Sequence, residues 1–255
     1  LIAAIGTGVC FLLNAASFVF VILSLLLMRL PQENQARRHQ SVLGELYAGV
    51  RYTFGATPIR CVILLLFLAS LTGMPYMVLM PVFAREILHG AAGTYGLLMG
   101  ASGLGALGGA FYLATRSSAK GLEKVIPMAA AAFGLGLVLL SLSRSFALAF
   151  AVIVLAGFGM MLLMAASNTF IQSLVDDGMR GRVMSFFTMA IMGTAPFGSL
   201  LAGSLARHIG VPLTIGLGGL VCLIGALAFT TRLPAIARAM TDGTECSPQG
   251  EQQQG

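Results

Sequence analysis

The chain has 255 residues, of which 57% are hydrophobic and only 9% are charged, and its net charge is +6 at pH 7. Soluble domains carry about 25% charged residues, so this chain lacks the side chains from which a water-facing surface is built. Its basic residues lie between apolar runs and form no stripe interleaved with aromatic side chains, which argues against a nucleic-acid partner and for a membrane protein.

Seven charge-free runs are long enough to cross a bilayer, which takes roughly 20 apolar residues. Their Leu, Ala, Gly and Met content predicts helices, because a β-barrel would need many shorter segments of alternating hydrophobicity. We therefore predict an all-α membrane protein in contact with the lipid bilayer, with seven transmembrane helices. In chain order the predicted spans are residues 1–28, 61–84, 87–115, 125–143, 145–175, 183–206 and 209–231.

The connections between the spans differ strongly in positive charge. Those after the first, third, fifth and seventh spans carry twelve Lys and Arg residues, and the remaining connections carry three. Lys and Arg mark the cytoplasmic side of a membrane protein. We therefore expect the first span to enter from outside and the C-terminus to lie in the cytoplasm.

One long connection divides the chain, which also opens inside an apolar run. We therefore expect the C-terminal part of a longer protein, with an N-terminal half missing. Residues 1–28 would be the last helix of that half, 29–57 a cytoplasmic linker, 58–232 a six-helix transmembrane bundle and 233–255 a disordered cytoplasmic tail.

Part of the linker, residues 41–57, has apolar residues near helical spacing. This pattern predicts an amphipathic helix on the inner membrane surface, and a solvated linker without membrane contact is the alternative. The apolar positions are Leu43, Leu46, Tyr47, Val50 and Phe54.

None of the seven runs contains Asp, Glu, Lys or Arg. His39 and His208 lie in connections, His89 lies near the start of the third run, and the four cysteines are far apart in sequence, so no acid–base pair, metal cluster or disulfide framework is predicted. We therefore predict a protein that is not an enzyme and that holds no metal or cofactor.

Uncharged polar residues are the remaining candidates for a substrate cavity. Thr72 and Tyr76 are four residues apart in the second span, and Asn168 and Gln172 are four apart in the fifth, so each pair shares a helix face. The alternative is that these side chains only form hydrogen bonds that pack the helices together.

Two spans carry proline near their middle. Pro75 follows Gly73, and Pro196 follows Gly193. Proline removes a backbone hydrogen bond and kinks a helix, and interrupted spans point to binding sites in transporters. We predict that these four residues are hinges. Small residues at four-residue spacing, such as Ala101, Gly105 and Gly109, predict close helix contacts.

The stretch from Asp176 to Arg182 places four charges between two long spans and predicts a tight charged turn. Our hypothesis is a cytoplasmic gate, in which this turn meets the loop after the third span and latches the inner helix ends. Anchoring of arginines to lipid headgroups is the alternative. The gating residues would be Arg116, Lys120, Asp176, Asp177, Arg180 and Arg182.

The chain resembles the C-terminal half of a major facilitator superfamily transporter, within the bacterial secretion-effector branch that includes enterobactin-exporter-like proteins. The resemblance rests on Asp177-Gly-Met-Arg-Gly-Arg-Val-Met-Ser185, on Ala195-Pro-Phe-Gly-Ser-Leu-Leu-Ala-Gly203 and on Leu46-Tyr-Ala-Gly-Val-Arg-Tyr52. The superfamily's best-known loop motif fits only loosely at Arg116, Lys120 and Gly121, where its Asp is missing.

This resemblance implies helices six to twelve of a twelve-helix transporter in a bacterial inner membrane. The second, third, fifth and sixth spans would then line the cavity, which favours Tyr76, Asn168 and Gln172 as cavity residues. The implied function is secondary-active efflux of a small amphipathic molecule by alternating access.

Two other functions are compatible with seven spans. A seven-span receptor has the same topology, although the last span has no lysine for a retinal Schiff base. A non-transporting remnant is the third possibility, because one half-bundle cannot enclose a two-sided cavity. Five further spans upstream would favour the transporter.

Overall fold

The computed structural model describes residues 2–27, 42–90, 92–116 and 121–245, and every regular element in these ranges is helical. The α-helices are α1 Ile2–Leu27, α2 Val42–Gly55, α3 Thr57–Leu68, α4 Tyr76–Val82, α5 Ala92–Ala114, α6 Leu122–Leu142, α7 Phe146–Leu174, α8 Asp177–Thr188, α9 Ala195–Ile209 and α10 Val211–Glu245. Three π-helical turns, Ala69–Gly73, Phe83–Ile87 and Met189–Gly193, lie between or after them. The prediction of an all-α protein is confirmed.

Within the described residues, six helices are long and apolar enough to cross a membrane. In order they match the second to seventh predicted spans: Thr57–Ile87, Gly93–Ala114, Leu122–Leu142, Phe146–Leu174, Asp177–Ile209 and Val211–Ile236. The chain separates into two compact units, Leu1–Ser41 and Val42–Gly255. The first unit contains α1, whose apolar stretch is Phe11–Leu27.

Several helices extend beyond the charge-free runs that predicted them. α3 begins before Arg60, and α8 begins at Asp177 and includes Arg180 and Arg182. The predicted tight charged turn is therefore wrong, because exposed charged side chains do not prevent the backbone hydrogen bonds of a helix. α10 likewise continues past Pro234 to Glu245, where a disordered tail was expected from residue 233.

Local sequence explains where two of the helices begin. Ser145 caps α7, since its side-chain oxygen accepts a hydrogen bond from the amide of Leu148 at 3.4 Å. Gly210 separates α9 from α10 with φ of +86°, a conformation that glycine adopts without strain. The chain can therefore reverse between the sixth and seventh spans through a single non-helical residue.

Close contacts at glycines show how α5 and α7 run relative to each other. A Cβ at Gly105 would collide with the Val154 carbonyl oxygen, and one at Gly109 would lie 2.8 Å from that of Phe158, so α5 and α7 run parallel at close distance. The predicted small-residue contact through Gly105 and Gly109 is confirmed. Gly100 and Gly203 also lie four residues after a small residue, Gly96 and Ser199, but nothing lies within 4 Å of a Cβ at either position.

The core lies where the second, fourth and seventh spans meet. Tyr76 packs edge-on against Phe133, with ring centroids 6.1 Å apart. A Cβ at Gly73 would lie 2.5 Å from the Phe133 ring and 2.8 Å from the Cys222 sulfur, so only glycine allows this approach. Large buried side chains of α7, among them Phe170, complete the core.

One end of the bundle, which we call the basic end, collects most of the described positive charge. Arg60 and Arg232 line one cavity there, and the Tyr52 hydroxyl donates a hydrogen bond to Asp176 at the same end. α5 and α7 are parallel, so Arg116 also belongs to this end. The fold therefore gathers on one end the residues that the sequence assigned to one side of the membrane.

Candidate functional site

The second span is interrupted at Pro75. Proline has no amide hydrogen, so Pro75 cannot donate to the Leu71 carbonyl four residues earlier. The helix widens before it into the π-helical turn Ala69–Gly73, where the Met74 amide donates to the Ala69 carbonyl at 3.0 Å. Such turns inside α-helices occur frequently at functional sites.

The sixth span has the same kind of interruption. Pro196 cannot donate to Met192, its α-helical acceptor, or to Ile191, its π-helical acceptor. The π-helical turn Met189–Gly193 precedes it, and Thr194 lies between the turn and α9. The four predicted hinge residues thus lie at two matching breaks, one in each span; whether these breaks bend stays a prediction.

Hydrogen bonds join the two breaks. The Ser70 hydroxyl, only 1% exposed, donates to the Ile191 carbonyl at 2.6 Å. Thr194 Oγ1 lies 2.9 Å from Ser70 Oγ and 2.7 Å from the Ala190 carbonyl oxygen. The Thr194 hydroxyl has one proton, so it donates to one of these two acceptors at a time. Ser70 therefore provides Ile191 with the donor that the backbone of Pro196 lacks.

The backbones also meet at this point. A Cβ at Gly198 would lie 2.5 Å from the Leu71 carbonyl oxygen and 3.0 Å from Pro75 Cγ. α9 therefore lies directly against the break in the second span, and the residue at position 198 has to be small. A movement of either break would change the packing of the other.

An apolar groove, which we call the interspan groove, runs between the two interrupted spans. Its volume is about 700 Å³, within the roughly 300–1,000 Å³ range of small-molecule sites. Four of its lining residues are phenylalanines, and Thr194 supplies a hydroxyl. The lining is Phe54, Ile63, Leu64, Phe67, Leu71, Phe186, Met189, Ala190, Gly193, Thr194 and Phe197.

A second cavity of about 490 Å³ lies between the second, sixth and seventh spans. Thr72 lines it, as do Ser204, His208 and Thr214. The Thr72 hydroxyl donates to the Leu68 carbonyl of its own helix at 2.8 Å. Its oxygen can still accept a hydrogen bond, so Thr72 remains a cavity candidate.

Tyr76 occupies a different position from its predicted partner Thr72. It is 1% exposed, and its hydroxyl lies 3.2 Å from Ser102 Oγ in α5. The side chain therefore packs and links helices in the core and lines neither the interspan groove nor the second cavity.

Asn168 and Gln172 are brought together as their spacing predicted. The Gln172 side-chain amide donates to the Asn168 side-chain oxygen, and Gln172 is exposed. Neither residue lines the interspan groove or the second cavity. The pair therefore lies apart from both cavities, on the fifth span near the basic end, and its role in a substrate cavity stays a prediction.

Two charged residues at the start of α8 form an ion pair with each other. Asp177 pairs with Arg180 at 2.9 Å, one turn along the helix, and both side chains are largely exposed. A carboxylate in the first helical turn is also favoured by the helix dipole. Such an exposed pair contributes about 0–1 kcal/mol, so it shapes the helix start more than it holds the fold.

Helix α2 docks on this helix start. The Tyr52 hydroxyl donates to Asp176 at 3.3 Å, and a Cβ at Gly49 would lie 3.3 Å from Arg182 Cβ. Burial is the main cause that raises the pKa of Tyr52; a backbone hydrogen bond at Asp176 lowers it in part, and the negative charge of Asp176 raises it. Gly49 is buried at this contact, whereas Tyr47 and Phe54 of the predicted apolar stripe remain exposed.

Arg116, one of the partners that we predicted for the acidic residues, contacts an aromatic ring of α5, the helix that precedes it, instead. The guanidinium of Arg116 stands over the Tyr112 ring at 5.9 Å from its centroid, and Lys120 lies outside the described residues. Asp176 and Asp177 are engaged with Tyr52 and Arg180 here. The latch between the two loops stays a prediction.

Sequence reasoning missed the residues that join the breaks. Ser70 lies two residues before Thr72, and Thr194 lies between the predicted hinges Gly193 and Pro196. A small hydroxyl residue within a few positions of a transmembrane proline was the available signal, because such residues can satisfy freed backbone groups. Among the described residues, no group of three or more His, Cys, Asp or Glu could hold a metal.

The six long apolar helices define a multi-span all-α membrane protein, and two interrupted spans are a feature that points to transporters. The sequence profile of the transmembrane secretion effector family matches residues 1–251, and the chain belongs to that family. It is 26% identical over 233 residues to YfmI, an uncharacterised MFS-type transporter of Bacillus subtilis (strain 168). The match covers 89% of this chain but only 57% of that relative's length. No solved structure matches. The expected superfamily and branch are confirmed.

Proposed function

We propose that this chain forms one half of a secondary transporter that exports small amphipathic molecules across a bacterial inner membrane by alternating access. The observation that carries the proposal is the hydrogen-bonded pair of broken spans beside the interspan groove. Broken helices at membrane depth are typical of transporter binding sites, where freed backbone groups face a cavity.

The chemistry of the interspan groove indicates the substrate class. Phenylalanine, leucine and methionine side chains dominate its lining, and no charged side chain is among them. A ligand with an apolar or aromatic body fits such a surface. Asn168 and Gln172 would offer hydrogen bonds to its polar part in the central cavity.

The proposal requires a second half. One half-bundle supplies one wall of a central cavity, and alternating access needs two halves that rock against each other. The missing N-terminal half-bundle is therefore the proposed partner, and the basic end would face the cytoplasm, as the charge distribution favours. The latch at Asp176 and Asp177 would then act on the cytoplasmic gate.

The proposal is tested with the full-length protein in cells that lack their own drug exporters. Accumulation of Nile red and ethidium is compared between Met189→Ala and Met128→Ala. Met189 lines the interspan groove and is 64% exposed, whereas Met128 lies on α6 outside it and is 70% exposed. The change in side chain is thus identical at two similarly exposed sites.

We expect Met189→Ala to change efflux of at least one dye severalfold and Met128→Ala to leave it unchanged. The absence of any dye efflux by the wild-type protein would count against this substrate class. Equal effects of the two variants would count against the interspan groove as the binding surface.

A further inference from the structure

We propose that the basic end of the bundle holds a specific site for one anionic phospholipid, between the start of the second span and the end of the seventh. The acyl chain would occupy an apolar slot between α3 and α10, and the phosphate would bind Arg60 and Arg232. This site goes beyond the proposed transport function and does not depend on it.

The geometry of the site follows from the antiparallel packing of α3 and α10. A Cβ at Gly225 would lie 2.7 Å from Leu68 Cδ2 and 3.2 Å from Leu65 Cδ1, so the two helices touch at this level. From this level toward the basic end, a cavity of about 260 Å³ lies between the two helices. Its lining is Arg60, Cys61, Leu64, Leu65, Leu68, Gly225, Ala228, Phe229 and Arg232.

The charges of this cavity are unbalanced. Arg60 and Arg232 are its two ionised side chains, and no acidic residue lines it. The ion pair found among the described residues joins Asp177 to Arg180 and involves neither of them. Two like charges beside an apolar surface repel each other unless an anion lies between them, so the site is complementary to a negatively charged group.

Arginine is well suited to a phosphate in this position. Arg60 Nη1 donates to the Phe54 carbonyl at 3.3 Å, which orients the side chain and leaves other guanidinium donors available. The planar guanidinium matches phosphate geometry with two parallel hydrogen bonds. Arg60 is half-buried, so part of its interaction with an anion is shielded from water.

The size of the cavity favours a lipid over a transported substrate. Small-molecule sites usually measure roughly 300–1,000 Å³, and about 260 Å³ falls below this range. Its apolar lining continues along the outer surface of α3 and α10, where Leu64 and Leu227 are exposed. A single acyl chain fits such a narrow, open slot, with its headgroup at the end where the arginines lie.

The proposal is tested by lipid binding to the full-length protein, measured by native mass spectrometry with dioleoyl phosphatidylglycerol and dioleoyl phosphatidylcholine as probes. Arg60→Gln with Arg232→Gln removes both cations of the site. Arg51→Gln with Arg116→Gln is the matched control, because it removes two exposed arginines from the same end. Ala228→Phe keeps both cations and fills the slot, and Ala228→Leu replaces it should the larger side chain prevent folding.

We expect the wild-type protein to bind one phosphatidylglycerol more tightly than phosphatidylcholine. Loss of Arg60 and Arg232 should weaken that binding at least about tenfold, which corresponds to ~1.4 kcal/mol, and the control pair should weaken it less than about threefold. Filling the slot at Ala228 should weaken binding with both arginines in place.

Equal weakening by the two arginine pairs would overturn the proposal, because it would indicate a general effect of surface charge. Equal affinity for phosphatidylcholine would also overturn it. So would unchanged phosphatidylglycerol binding in the slot-filling variant, as expected if the missing half-bundle covers this face.

Discussion

Ser70 in the second span donates a hydrogen bond of 2.6 Å to the carbonyl oxygen of Ile191 in the sixth. The bond joins two helices at the points where proline interrupts each of them. Both spans contain a π-helical turn at this level, and Ser70 supplies a donor to an acceptor that Pro196 cannot serve. The two breaks therefore stabilise each other, and a movement of one span would be transmitted to the other at this point.

Ser70→Ala should therefore lower the stability of the full-length protein. Hydrogen bonds between transmembrane helices contribute about 0.6 kcal/mol on average and up to about 1.7, and Ser70 is fully buried. The free energy of unfolding in mixed micelles measures the effect. Ser141→Ala is the control, because its hydroxyl donates to the Val138 carbonyl of its own helix and not to another span among the described residues. Equal losses in both variants would contradict the role of the bond between the spans.

Gly105→Ala should destabilise the bundle, because the added methyl group would meet the Val154 carbonyl oxygen. Overpacking of a close contact costs typically about 1–3 kcal/mol. Gly100→Ala adds the same group five residues earlier in the same helix, where nothing lies within 4 Å, and should be neutral or slightly stabilising. Thermal unfolding of both variants decides the matter, and a harmless Gly105→Ala would refute the parallel α5–α7 contact.

Cysteines at positions 49 and 182 should form a disulfide in a protein whose native cysteines are replaced by alanine. A Cβ at Gly49 would lie 3.3 Å from Arg182 Cβ, close to the roughly 3.5–4.5 Å that a disulfide requires. Mass spectrometry after mild oxidation detects the bond. Gly55→Cys with Arg182→Cys is the control, because nothing lies within 4 Å of a Cβ at Gly55. A reduced 49–182 pair would show that α2 does not dock on α8.

The stability that Tyr52 contributes to the docked α2 helix should be lost at alkaline pH. Burial is the main cause that raises the pKa of its phenol above the ordinary value, so folding favours the neutral form. The contribution is complete below the ordinary pKa of about 10 and is lost as pH rises through the folded-state pKa. The difference in thermal stability between the wild type and Tyr52→Phe should therefore shrink above about pH 10. A difference that stays constant as pH rises past about 10 would contradict the assignment.

The orientation of the bundle can be tested at the two ends of one helix. Lys124 lies at the start of α6 and Arg144 lies just after its end, and both are exposed. With the basic end in the cytoplasm, a membrane-impermeant maleimide added to intact cells should label Arg144→Cys and not Lys124→Cys. The opposite pattern would invert the proposed topology.

Two residue pairs with the same four-residue spacing show which contacts the sequence predicts correctly and which it does not. Local spacing predicted that Asn168 and Gln172 would meet, because residues four apart share a helix face, and their side chains are hydrogen-bonded. The same spacing paired Thr72 with Tyr76. Pro75 and the π-helical turn break the helix between them, and Tyr76 turns into the core while Thr72 lines a cavity.

The sequence by itself determined the class of protein, the presence of the six described spans and the positions of their breaks. Charge-free runs of roughly 20 residues have few stable structures other than a membrane helix, and proline removes its hydrogen bond in any context. The tertiary structure alone decided that Ser70 meets Ile191, that Gly105 rather than Gly100 is a contact, and that Arg60 and Arg232 share a cavity. These contacts depend on the rotation and axial register of each helix, which are fixed by packing between helices far apart in the chain, and neither hydropathy nor local spacing encodes them.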